Sequence, residues 1–244
     1  MFTQLIYKLK TVLHKSSERG HANHGWLDAW HSFSFAGYYD PEKTHFGVLR
    51  VLNDDTVAAG MGFGMHPHDN MEIITIPLSG TLAHTDSMGN SGTISFGEIQ
   101  VMSAGSGITH SEFNHSKVEP VKLLQIWLFP KEKNVQPRYD QLSYDLDKIN
   151  NNWVQVVSPD ANDAGSWIHQ DAWFHVGNFS KESYSIYELK KEGNGLYIFV
   201  ISGSVEVGEY TLGKRDALGV WETGKATFNF LSDSLVLIME VPMR

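Results

Sequence analysis

The sequence contains no cysteine in 244 residues. Disulfides and thiolate-bound metals are therefore excluded, although the compartment is left open. Basic surface is also scarce: 19 Lys and Arg against 28 Asp and Glu give a formal charge of −9. No basic run exceeds a pair such as Lys190-Lys191. A broad nucleic-acid surface needs clustered cations on phosphates, so that class is set aside. Long apolar runs are missing as well. The N-terminal MFTQLIYKLK is interrupted by Gln4, Lys8 and Lys10, unlike a secretory core, and LVLIMEV (235–241) is far too short to cross a bilayer. The expectation is a cytoplasmic, monomeric protein that binds neither nucleic acid nor membrane. Helical periodicity is sparse too.

Short runs rich in Val, Ile, Phe and Tyr recur between Gly, Asn, Asp and Ser, the pattern of a sandwich or barrel. Strands are expected at FGVLRVL (46–52), MEIITIPL (71–78), GTLAHTD (80–86), EIQVM (98–102), GITHSEF (107–113) and VKLLQIWLF (121–129). Turns are expected at SMGNSG (87–92) and SAGSG (103–107). Around Pro137 and the Asn150–Asn152 run the chain turns polar and irregular. This suggests a barrel over 1–135, a linker over 136–152 and a second barrel over 153–244.

The second half repeats the first in outline. ITIPLSGTL (74–82) resembles IFVISGSVEV (198–207), and ISFGEIQVM (94–102) can be laid on LGKRDALGV (212–220). An internal duplication of jelly-roll barrels follows, an all-β architecture. It is chemically lopsided. Ungapped, the alignments put Leu189 and Lys191 opposite His66 and His68, and Phe228 and Phe230 opposite His110 and Glu112. No histidine follows His175, so only the first half can hold a histidine-rich site.

Residues two apart on a strand share a face, so His66 and His68 can meet one ion, as can His110 and Glu112. Three imidazoles and a carboxylate suit Fe, Mn, Ni, Cu or Zn better than Mg or Ca. Glu72 is also in phase with His66, and parity alone does not choose between it and Glu112. His84 and His115 read as surface or turn positions. Trp26, Trp30, Phe33, Phe35, Tyr38 and Tyr39 read as an aromatic cluster packed over the barrel, with His21, His24 and His31 orienting it. Phe63 and Met65 flank the ligand strand.

Gly60, His66, His68 and Glu72 match the first cupin motif, and Gly97, Gly105, His110 and Asn114 match the second loosely. Beyond that frame the sequence resembles the pirin family, in its short bacterial quercetin 2,3-dioxygenase-like branch. The resemblance is carried by RGHANHGWLDAWHSFSFAGYYD (19–40), FGVLRVLNDD (46–55), GFGMHPHDNMEI (62–73), LAHTDSMGN (82–90), MSAGSGITHSEFN (102–114) and LLQIWLFP (123–130). It implies a bicupin with one divalent metal, Fe(II) foremost and Mn, Ni, Cu or Zn as alternatives. Its ligands would be His66, His68, His110 and Glu112, with Glu72 behind them. It further implies cleavage of a flavonol such as quercetin by O₂ with release of carbon monoxide, and Glu112 as the catalytic base. The alternative it carries is a metal-dependent regulatory module with a protein partner, as in the longer nuclear branch. The chain lacks that branch's Gly-Pro-Phe-Val-Met-Asn segment, and Asp69 stands where relatives often carry a basic residue.

Overall fold

A computed structural model describes residues 10–244; the N-terminal run before Lys10, read above for a secretory core, lies outside them. The described residues form strands, loops and one short 3₁₀ turn at Ser16–Glu18, with no α-helix. No helix among them is long and apolar enough to cross a membrane.

The strands make two sandwiches, each a seven-stranded sheet against a four-stranded one. In the first, the large sheet runs Arg138–Ser143, Glu98–Ser103, Glu72–Ser79, Val121–Leu128, Leu49–Val57, Leu27–His31, Gly20–Asn23. Its small sheet runs Gly62–His68, Ile108–Asn114, Thr81–Asp86, Ser91–Ser95. The second large sheet runs Lys10–His14, Ala217–Trp221, Asn194–Ser202, Ser234–Pro242, Trp173–Phe179, Val154–Ser158, Ser166–Trp167. Its small sheet runs Tyr184–Glu188, Lys225–Phe230, Val205–Val207, Tyr210–Leu212. The six strands read from the sequence all appear, shifted by a few residues at their ends.

Two edges differ from the sequence reading. Arg138–Ser143, inside the segment taken as a linker, pairs with Glu98–Ser103. Lys10–His14, taken as part of the first barrel, pairs with Ala217–Trp221 of the second. Each large sheet is thus extended at a corresponding edge by a strand from elsewhere in the chain, which becomes the new edge strand.

Strand alternation divides the apolar residues between two interiors. On Glu72–Ser79, Ile74 and Ile76 join Phe33, Phe46, Leu124, Phe174, Tyr197 and Met239 in a core between the barrels. The opposite face of the same strand, with Ile73 and Thr75, looks into the first barrel. Each fully buried Ile or Leu contributes about 1.5–3 kcal/mol, so the shared core ties the halves together. Arg215 adds a polar tie, reaching Asp54 at 2.7 Å, with Arg19 on the same carboxylate at 3.2 Å.

The second barrel is filled by its own apolar cluster, including Phe179, Leu196, Ile198, Leu218, Phe228 and Phe230. The first barrel has two smaller apolar clusters, one around Leu27, Val57, Leu82 and Leu123 and one around Ile73, Met102 and Ile108. Its middle is polar.

Candidate metal centre

Gly62–His68 and Ile108–Asn114 are neighbouring antiparallel strands, with His110 opposite His66 and Ile108 opposite His68. Gly62 is required for the approach, since a Cβ there would collide with the Glu112 carbonyl and Phe113. Between His110 and Glu112 the register slips: Glu112 faces Phe63, leaving one extra residue on the histidine strand. Such a bulge re-aims side chains, here turning Phe63 toward Trp26 at a centroid distance of 5.2 Å while His66 stays with His110. His66 Nδ1 lies 2.7 Å from the Gly64 carbonyl, which makes it the donor nitrogen and leaves Nε2 as the free lone pair.

The three rings converge, with centroids 4.4 Å apart for His66–His110, 4.8 Å for His66–His68 and 4.9 Å for His68–His110. One ring nitrogen of each lies within 4.8 Å of the others. Burial, reinforced by the neighbouring imidazoles, pulls His110 down to about 3; burial and His66 pull His68 down to about 4. Both are neutral near pH 7, the form that donates to a metal. Trp127 stands edge-on to His68 at 5.0 Å.

Glu112 lies beside this trio rather than inside it. Its carboxylate falls in a second group with His84 and His110, again within 4.8 Å. Gln125 Nε2 donates to one oxygen at 2.9 Å and Gln100 Nε2 to the other at 3.1 Å, with Thr75 Oγ1 at 3.4 Å. Burial raises the Glu112 pKa against the lowering effect of His84 and the amides.

Glu72 faces the other way. It shares the outward face of its strand, accepts from Ser103 Oγ at 2.6 Å and is pushed up to about 7 by burial. Parity with His66 fails because the turn between the two strands, with Asn70 at φ 46°, breaks the alternation. His115 is exposed as expected, whereas His84 is buried at 1% exposure. The strand containing His84 runs on to Asp86 before the turn begins, so His84 is an interior position. The signal was present: His84 and Asp86 repeat the spacing of His66/His68 and His110/Glu112. Gln100, Gln125 and Thr75 lay in strands read only as apolar, and Tyr139, whose ring stacks on His84 at 4.6 Å, lay in the segment read as a linker.

The aromatic segment disperses. Phe33 enters the inter-barrel core, Phe35 packs on Trp127, His21 stacks on Trp30, His31 bonds Asn53, and Tyr39 is exposed. In the second barrel, Phe228 and Phe230 are buried as the alignment implied, but register places Ser185 and Tyr187 opposite the histidine pair. Leu189 and Lys191 fall in the following connection, which is four residues longer here (Tyr187 to Ser202 against His68 to Ser79). A cavity of about 890 Å³ in this half is lined by Tyr210, Trp221, Lys10 and Lys225 but by no histidine.

Both nitrogens of His110 and Nδ1 of His84 are buried without a partner. Orphaned buried nitrogens cost about 1–3 kcal/mol each, and neutral imidazoles beside a carboxylate are the donors a first-row divalent ion takes. The residues fit such an ion.

Comparison with known proteins agrees with this architecture. Residues 12–128 match the family described as Pirin, and residues 155–241 match the quercetinase C-terminal cupin domain. A protein named quercetin 2,3-dioxygenase from Escherichia coli K12 is 44% identical over 234 residues, covering 94% of this chain and 98% of that one. A pirin-like protein of Caulobacter vibrioides is 37% identical over 222 residues, covering 91% of this chain and 95% of its own. Among solved structures, the bacterial pirin YhhW of Escherichia coli in complex with nickel(II) superimposes with a TM-score of 0.91. It is 42% identical, and the match covers 96% of this chain and all of that one. The two histidine-bearing strands therefore sit in a two-barrel cupin scaffold, and the chain belongs to the pirin family.

Proposed function

We propose that the protein is a metal-dependent dioxygenase that cleaves a flavonol such as quercetin with O₂, releasing carbon monoxide. The observation that carries this is the trio His66, His68 and His110 at the half-open end of a barrel, with Glu112 buried beside it. His66, His68, His110 and Glu112 are the residues that would hold one divalent ion, Fe(II) foremost. Nickel(II) in the Escherichia coli relative supports a site open to other first-row ions. The ion supplies Lewis acidity, which lowers the pKa of a hydroxyl brought to it.

The chain's own residues do the rest. Glu112 takes the 3-hydroxyl proton on a carboxylate oxygen, and the burial that raises its pKa makes it a stronger base than an exposed carboxylate. Gln100 and Gln125 fix both carboxylate oxygens, so the base does not have to be oriented during turnover. Phe63 with Trp26 on the His66 side and Trp127 with Phe35 on the His68 side supply aromatic walls for a planar substrate.

The test is oxygen uptake with quercetin by metal-reconstituted and metal-free protein, since flavonols oxidise slowly in air. Glu112→Gln keeps the shape but cannot accept the proton. Positioned bases contribute about 10²–10⁴-fold, so uptake is expected to fall at least tenfold. Near-normal uptake by Glu112→Gln at full metal content refutes the base. Wild-type uptake no greater than that of the metal-free control refutes the dioxygenase.

A further inference from the structure

The interior of the first barrel contains one more pair of functional side chains than the metal signature uses. On Thr81–Asp86, His84 lies opposite Glu112 and Asp86 opposite His110, and both are buried. His84 Nε2 is 3.3 Å from Asp86 Oδ2. Asp86 is itself fixed: the backbone N–H groups of Met88 and Asn90 donate to Oδ1 and the Asn90 amide donates to Oδ2. A histidine that donates one N–H to an anchored carboxylate presents its other nitrogen as a lone pair in a set direction. This is the support that metal-bound histidines have in their outer shell.

That other nitrogen, His84 Nδ1, is buried and has no partner, and the same is true of both nitrogens of His110. The donor atoms of His84, His110 and Glu112 all lie within 4.8 Å of one another, a limit the outer trio also meets. Metal–ligand distances of about 2.0–2.2 Å put neighbouring donors about 3–3.5 Å apart. Closing onto an ion therefore takes side-chain shifts of about an ångström.

We propose that the barrel has an inner position for a divalent transition-metal ion, formed by His84, His110 and Glu112, which is an alternative to the outer position of His66, His68, His110 and Glu112 and shares His110 and Glu112 with it. It rests on the metal-site reading above through the shared His110 and Glu112; a neutral imidazole has one lone pair, so His110 serves one position at a time. Two imidazoles and one carboxylate suit Zn or Co and disfavour Ca or Mg. Glu112 is a ligand and Asp86 stands directly behind His84, so two carboxylates face the ion's double charge. The positions also differ in access. The inner donors are at most 2% exposed, while His66 and His68 are half-buried, so the outer position faces solvent and the inner one does not.

The test removes the outer pair. Metal-free His66→Ala/His68→Ala protein is titrated with Co²⁺ and Zn²⁺ by calorimetry, with the Co²⁺ visible spectrum as a second readout. One equivalent per chain is expected, with ligand-field bands of a mixed nitrogen and oxygen site. Adding His84→Ala should weaken binding at least 100-fold, and adding Asp86→Asn instead about 10–100-fold. Thermal melts of the metal-free proteins verify folding, and His84→Gln replaces His84→Ala if the latter does not fold. Wild type that binds metal while the double variant binds none overturns the inner position and leaves the outer reading intact. Undiminished binding after loss of His84 also overturns it. Wild type that binds no metal at all removes both.

Discussion

Asp55 offers a test of the barrel's polar interior that does not need metal or substrate. It is 5% exposed, its Oδ1 has no partner, and burial, aided by the charges of Asp54, Glu112 and Asp28, raises it from 3.8 to about 8. A carboxyl whose folded pKa lies above its unfolded one is held protonated by the fold. The unfolded chain releases that proton from about pH 4 upward, so stability falls as pH rises and levels off above pH 8. Each pH unit in that window corresponds to about 1.4 kcal/mol, an upper limit of about 5 kcal/mol at pH 7.5. Asp55→Asn abolishes this loss but leaves a buried amide short of partners, at a cost of about 1–3 kcal/mol. The variant should therefore be more stable than wild type at pH 7.5, by at most about 2–4 kcal/mol, with the advantage shrinking to nothing or reversing at pH 4.5. Urea denaturation of both proteins after chelation, at pH 4.5, 6.0 and 7.5, measures the difference; titrations common to both proteins cancel. A difference that does not change with pH, or a variant less stable at pH 7.5, refutes the raised carboxyl.

Two further predictions concern the second barrel and the join. Phe228→Ala empties a fully buried site and should cost about 3–5 kcal/mol in urea denaturation, while oxygen uptake per folded molecule stays within about twofold. A large loss of turnover at full folding would give the second barrel a part in the chemistry. Arg215→Ala leaves Asp54 with Arg19 alone and the Ile201 carbonyl without its donor. Unfolding by urea should then be about 1–3 kcal/mol easier, and separate unfolding transitions for the two halves would show that this contact couples them.

The duplicated β architecture and the asymmetry between its halves were legible because alternation and glycine punctuation are local properties. The His-x-His and His-x-Glu pairs were legible for the same reason: a strand puts residues two apart on one face. What escaped depends on the partner strand. Arg138–Ser143 carries mixed polar residues because it lies at a sheet edge, so its composition looks like a linker. Gln100 and Gln125 each sit in an apolar run, and only the pairing of both with Thr75 brings their amides onto Glu112. Glu72 was misphased because alternation was carried through a turn, where it does not hold.

Register makes the division of labour between the barrels specific. His110 and Glu112 face Asp86 and His84 in the first; at the same ladder positions in the second, Phe228 and Phe230 face Val207 and Val205. The residues that hold Glu112 are replaced in step. Thr75 pairs with Gln100 and Gln125, while the matching Ile198 pairs with Leu218 and Ile238. A buried carboxylate without its amides would carry a desolvation penalty with little to offset it. The amides without the carboxylate would be orphaned donors at about 1–3 kcal/mol each. Glu112, Gln100, Gln125 and Thr75 therefore change together or not at all, and either partial set is less stable than both observed states. The polar set keeps one barrel open to chemistry at a cost in core packing. The apolar set gives the other barrel a continuous core, and the apolar layer between the barrels lets that core support the weaker one.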